Sequence, residues 1–177
     1  MKTTLKIFVA AIMLVLVGCT QSLEEKIAEL EETALSTNGV LLEDVGAQLV
    51  ENYCLYAEQN PKTEQSLQYL FKALDVAMNM RMAQKSLDIS EKILTEYPDF
   101  EKCDLVAFMR GMIFDGMLHD VNSARTEYEN MIAKYPDSEL VPSAQNSIKL
   151  LGLSDEEIIR MFEAANADDS VEVVEAQ

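Results

Sequence analysis

Five residues, Met78-Asn79-Met80-Arg81-Met82, set three thioethers at alternate positions, and thioethers are soft ligands that suit Cu(I). On a helix, residues two apart point roughly 200° away from each other, so the three sulfurs meet at one ion only where the backbone is extended. The expected role is therefore packing: Met80 closes a helix end and the others cover a hairpin. Contact with a peptide is the next alternative, because Met side chains refit different surfaces. Cys54 and Cys103 could form a disulfide only with Cα atoms within about 7 Å. Neither their spacing nor their helix faces requires that, so two separate buried thiols are expected. His119 stands alone beside Asp120 in a turn, where an imidazole is solvated or caps a helix. The acidic pairs Asp168-Asp169 and Glu156-Glu157 fall in a tail and a helical first turn, where carboxylates serve solvation and the helix dipole. Gly-rich phosphate loops, zinc spacings and nucleophile elbows are missing. No catalytic residue, metal or cofactor is implied, and the chain is not expected to be an enzyme.

Charge narrows the partners further. The 177 residues hold 14 Lys and Arg against 31 Asp and Glu, a net charge of -17. Such a surface repels nucleic-acid phosphates and anionic lipid headgroups. A composition of 49% apolar and 25% charged residues is that of an ordinary globular domain, and the length suits one such domain.

One thiol is placed differently from the rest. Lys2 and Lys6 precede Ile7 to Val17, an unbroken apolar run too short to cross a hydrocarbon core of about 30 Å as a helix. The run ends in Leu16-Val17-Gly18-Cys19, which resembles the lipobox of bacterial lipoproteins: small residues stand beside the scissile bond, and the Cys sulfur is diacylated. The resemblance implies cleavage before Cys19 and lipidation there. Two or three acyl chains hold a protein to a bilayer at about 0.8 kcal/mol per buried methylene, with no help from basic residues. In enteric-type sorting Thr20, not being Asp, implies passage to the outer membrane.

The remaining elements are helical. Ser22 to Thr37 reads as a helix with Leu23, Ile27, Leu30 and Ala34 on one stripe, stopped by Thr37-Asn38-Gly39. Its stripe spans two heptads at most, so a single helix leaning on the domain is expected, not a coiled-coil stalk. Pro61, Pro98 and Pro136 then follow amphipathic patterns at gaps of 37 and 38 residues, a period typical of helical repeats. A shift of 38 lays Ser66–Lys102 over Asp104–Leu140 without a gap and pairs Tyr97-Pro98-Asp99 with Tyr135-Pro136-Asp137. Residue size repeats as well. Ala73 or Gly111 is followed three later by Val76 or Phe114. Ser86 or Ala124 is followed at +4 and +7 by Ser90 and Ile93, or by Tyr128 and Met131. Small residues let two helix axes approach, and large ones a turn away fill the groove. Leu49, Tyr53, Tyr56 and Pro61 repeat the spacing of the later unit, so Leu42 to Asn60 reads as the second helix of an earlier, degenerate hairpin.

These positions resemble the tetratricopeptide repeat (TPR), with Ala73, Ser86, Pro98, Gly111, Ala124, Tyr128 and Pro136 as its signature residues. Tyr135-Pro136-Asp137-Ser138-Glu139, with a following helix that ends at Leu150-Leu151-Gly152, is similar to TPR lipoproteins of the cell envelope. These include components of the β-barrel assembly and Tol-Pal systems; small Bacteroidota TPR lipoproteins are closest in layout. The resemblance implies an all-α solenoid of TPR-like hairpins wound as a right-handed superhelix, with an N-terminal helix and a C-terminal capping helix. The expected division is a leader at 1–18, anchor and first helix at 19–40, repeats at 41–152, capping helix at 153–165 and a disordered acidic tail at 166–177. Ser154 and Glu157 have capping-box spacing, and Ile158, Ile159, Met161 and Phe162 should close the open end of the stack.

The implied function is a non-catalytic, lipid-anchored adaptor in the bacterial cell envelope, at the outer membrane facing the periplasm. Its partner is an envelope protein or peptide, its membrane contact is through acyl chains on Cys19, and nucleic acid is excluded. The alternative is a permanent structural subunit of an outer-membrane assembly or division complex. The first helices of the hairpins should line the inner curve, with Tyr69, Lys72, Val76, Arg110, Phe114 and Asp115 as the groove. Lys72 and Arg110, one repeat apart, could read a carboxylate-bearing ligand or lie beside acidic neighbours.

Overall fold

The computed structural model describes residues 21–34 and 40–164. The leader, Cys19, the Thr37-Asn38-Gly39 stop and the tail at 166–177 lie outside the described residues. Among the described residues the regular elements are all helices: α1 (Leu23–Thr33), α2 (Glu43–Gln59), α3 (Glu64–Asn79), α4 (Ala83–Glu96), α5 (Cys103–Gly116), α6 (Val121–Lys134) and α7 (Val141–Leu150), then α8 (155–164). None is long and apolar enough to cross a membrane. Packing runs along the chain, with each helix from α1 to α7 chiefly on its sequence neighbours, as short connections dictate.

Helix α1 starts with a full capping box. The Glu25 N–H donates to Ser22 Oγ at 3.1 Å, and the Ser22 N–H donates to Glu25 Oε2 at 2.9 Å. The helix stops at Thr33, short of the Thr37 expected from its stripe. Ala34 is buried, and its carbonyl accepts the Leu42 N–H at 2.9 Å, which turns the chain back toward α2.

The second helix of each hairpin leaves through the same backbone shape. Asn60, Tyr97 and Tyr135, the residues after α2, α4 and α6, have φ/ψ of -126°/61°, -130°/57° and -129°/62°. Each precedes a proline, whose ring disfavours the helical region for the residue before it. The tight turns inside the hairpins match too: Arg81 and His119 take left-handed φ values of 57° and 54° and stand one shift of 38 apart.

Most of the core forms one apolar cluster, with Leu49, Tyr53, Leu70, Leu74, Ala77, Ile93, Val106 and Ile113 buried from α2 to α5 and Ile27 from α1. A second cluster holds Ala124, Tyr128, Met131, Ala144 and Leu151. The small positions sit where axes meet. Ala73, Ser86 and Ala124 are fully buried, and a Cβ on Gly111 would fall 2.3 Å from the Tyr128 ring. Burial of hydroxyls at Ser86 and Ser90 is tolerated because they donate to the carbonyls of Met82 and Leu87 at 3.0 and 2.8 Å, which offsets their loss of water. The large residues three positions on, Val76 and Phe114, are both half-buried.

At the far end, Ser154 and Glu157 form the expected box, at 2.8 and 3.3 Å. Of the four apolar residues expected to close the stack, Ile158 and Met161 are half-buried, whereas Ile159 and Phe162 are 56% and 51% exposed. Helix α8 therefore presents apolar side chains to solvent, and Leu151 before it supplies the buried contact.

Candidate functional site

A groove of about 960 Å³ opens between α1, the segment 40–43, α2 and α3. Helix α3 contributes Phe71, Lys72, Asp75, Val76 and Asn79, one face at helical spacing. Leu49 and Tyr53 of α2 form the floor, and Glu31 of α1 and Glu43 of α2 stand on the walls. At one side the Glu31 carboxylate gathers two donors, Lys72 Nζ at 2.7 Å and Tyr53 OH at 2.7 Å. Partial burial would raise its pKa, but the hydrogen bonds from Lys72 and Tyr53 and the charge of Lys72 outweigh that and hold it below the usual carboxylate value. The Tyr53 hydroxyl is pushed well above its ordinary value, first by burial and then by donating to an anion. Tyr69 stacks on Tyr53 at 5.1 Å between centroids and meets the edge of Tyr56 at 4.8 Å. Lys72 Nζ lies 6.0 and 5.8 Å from the Tyr53 and Tyr69 rings.

The six residues expected to share a groove divide. Lys72 and Val76 line it, and Tyr69 braces it from the aromatic cluster. Arg110 is elsewhere and occupied: its side chain is 15% exposed, with Nε and Nη2 on the two Glu127 oxygens at 3.1 Å each. Its Nη1 reaches Glu91 at 3.2 Å and Ser90 Oγ at 3.2 Å. Phe114 packs against the second core cluster, and Asp115 is half-buried on α5 outside the groove. Of the two alternatives for these cations, the structure shows the second, in which both lie beside acidic neighbours. Lys72 pairs with Glu31, and Arg110 ties α5 to α4 and α6.

Sequence reasoning does not reach Glu31, Glu43, Tyr53, Asp75 and Asn79 as groove residues, although the shift of 38 carries a signal for Asp75 and Asn79. Gln68, Asp75 and Asn79 of α3 correspond to Val106, Ile113 and Met117. On α5 that face is apolar, and Val106 and Ile113 are fully buried in the first cluster. On α3 it is polar, and all three residues are exposed. The same register is covered in one hairpin and open in the other.

Chemistry elsewhere is sparse. Met80 ends α3, Arg81 turns left-handed and Met82 precedes α4, so the methionine string is a tight turn and lacks the extended backbone that convergence on one ion needs. Met78 and Met82 pack against the first cluster, and Met80 Sδ lies 2.6 Å from where a Cβ on Gly46 would be. Cys54 and Cys103 are free thiols, and burial pushes both pKa values up, away from reactivity. Among the described residues no three His, Cys, Asp or Glu side chains are placed to hold a metal ion. Compared with known proteins, the chain matches no family model and no curated protein.

Proposed function

We propose that the chain is a non-catalytic, lipid-anchored adaptor of the bacterial cell envelope, built of TPR-like hairpins in a right-handed superhelix, which holds a segment of an envelope protein in the groove beside α3. The observation that carries this reading is the open, polar-and-apolar face of α3, set against the covered, apolar face of α5 at the same register. The open face of α3 borders a cavity of about 960 Å³, beside the packed rings of Tyr53, Tyr56 and Tyr69. The recurring turn geometry after α2, α4 and α6 supports the repeat reading. Anchoring rests on Leu16-Val17-Gly18-Cys19, and Thr20 after it supports a location at the outer membrane, facing the periplasm.

A second reading has its own support. Leu153, Ile159 and Phe162 expose apolar surface at one end, which suits permanent docking in an outer-membrane assembly or division complex. Purification of the acylated protein from membranes in mild detergent, followed by a salt wash, separates the two. An adaptor loses its partner in the wash, whereas a structural subunit keeps a stoichiometric one. Intact mass of the wild-type protein and of Cys19→Ala tests the anchor; wild-type protein without acyl chains would remove it.

A further inference from the structure

We infer that the segment held in the groove is cationic and apolar, with Lys or Arg set among aliphatic or aromatic residues; this rests on the adaptor reading and adds the chemistry of its partner. Four charged side chains line the groove: Glu31, Glu43, Lys72 and Asp75. Lys72 is engaged by Glu31 at 2.7 Å. Neither Glu43 nor Asp75 has a cation within ion-pair distance among the described residues. The unanswered charge of the groove is therefore negative, and a carboxylate-bearing ligand would meet two carboxylates and no unpaired cation among the side chains that line it. Between these charges Val76 and Phe71 supply apolar surface, so a bare cation would leave that part of the wall uncovered. A segment that carries both features satisfies both.

Charge also decides among occupants. Of the large apolar residues that this protein exposes, Ile159 and Phe162 on α8 share their helix with Asp155, Glu156, Glu157 and Glu163 against the single cation Arg160. A second copy docking through α8 would bring like charges together. The net charge of -17 attracts cations toward the whole surface, but salt screens that field within about 8 Å at physiological ionic strength. Selection must then come from the groove's own carboxylates. The chain's own leader, Lys2 to Val17, is net cationic and apolar, so it is the competing occupant that an experiment has to separate.

The test is fluorescence anisotropy with two labelled amphipathic peptides, one of Leu and Lys and one of Leu and Glu. Each is titrated with the acylated protein in detergent and with the uncleaved precursor. Binding of the Leu/Lys peptide about tenfold tighter than the Leu/Glu peptide is expected. Glu43→Gln with Asp75→Asn should weaken it about tenfold, whereas Asp99→Asn with Glu101→Gln, in the turn before α5, should change it less than about twofold. Circular dichroism of both double variants should match the parent. Equal weakening by both pairs would mean diffuse attraction and overturn the assignment. Preference for the Leu/Glu peptide, lost on Val76→Arg, would overturn the sign but keep a groove-binding adaptor. Binding to the processed form and not to the precursor would make the leader an occupant and overturn a dedicated foreign one. Absence of binding by either peptide to either form would overturn the inference, while a partner lost in the salt wash would still uphold the adaptor reading.

Discussion

Two glycines in α5 have opposite roles. A Cβ at Gly111 would meet Tyr128 ring carbons at 2.3 and 2.4 Å, and that ring is 1% exposed, with Phe108 at 5.4 Å, so it has no room to swing. Gly111→Ala should destabilise by about 1–3 kcal/mol through overpacking, offset by up to about 1 kcal/mol of helix propensity. At Gly116 a Cβ meets nothing within 4 Å, so Gly116→Ala should be neutral or stabilising by up to about 1 kcal/mol; urea unfolding of the pair reads the difference. Arg110 is likewise a packing residue. Arg110→Lys loses the two-pronged contact with Glu127 and should cost about 1.5–3 kcal/mol in the same measurement. Arg110→Glu would set a third carboxylate beside Glu91 and Glu127, so an effect of that variant on binding would report on unfolding. Glu31 connects pH to the groove. Its carboxyl titrates below the ordinary 4.5 in the folded chain, so the stabilisation it provides is complete above that value and is lost as pH falls through the lower, folded value. Tyr53→Phe removes one donor, and carboxyl NMR titration should show Glu31 moving back toward the ordinary value.

At the scale of elements, caps and turns were more legible than neighbours. The capping boxes at Ser22 and Ser154, the pre-proline exits and the small-residue positions follow from local chemistry, and all of them could be read from residue type and spacing. Thr63 belongs with them: its Oγ1 accepts the Ser66 N–H at 3.1 Å and starts α3. Thr63→Ala should cost about 1 kcal/mol of stability in a thermal melt. Periodicity shows which face of a helix is apolar but not what lies opposite. That is why Arg110 was assigned to a groove although it is wedged between α4 and α6, and why Ile159 and Phe162 were assigned to a lid although they face solvent. The end of α1 was hidden for a related reason, since the stripe continues to Ala34 while the Leu42 N–H takes the Ala34 carbonyl. Comparing Asp75 with Ile113 would have located the groove, because a polar residue at a register that is elsewhere fully buried marks a place where packing stops.

For the whole molecule, contacts between sequence neighbours make stability a chain of adjoining interfaces, strongest where each helix has one on both sides. Hydrogen exchange should follow that order, with amides of α3 to α5 slowest and those of α8 fastest; uniform protection from α1 to α8 would contradict the picture. The matched left-handed residues Arg81 and His119 carry one more consequence. Residues 82–119 therefore start and end at the same kind of bend. Copied in frame, they would keep the bend but set a second α4 where α6 now packs on α5, so lengthening the protein by this route requires one new helix-to-helix fit.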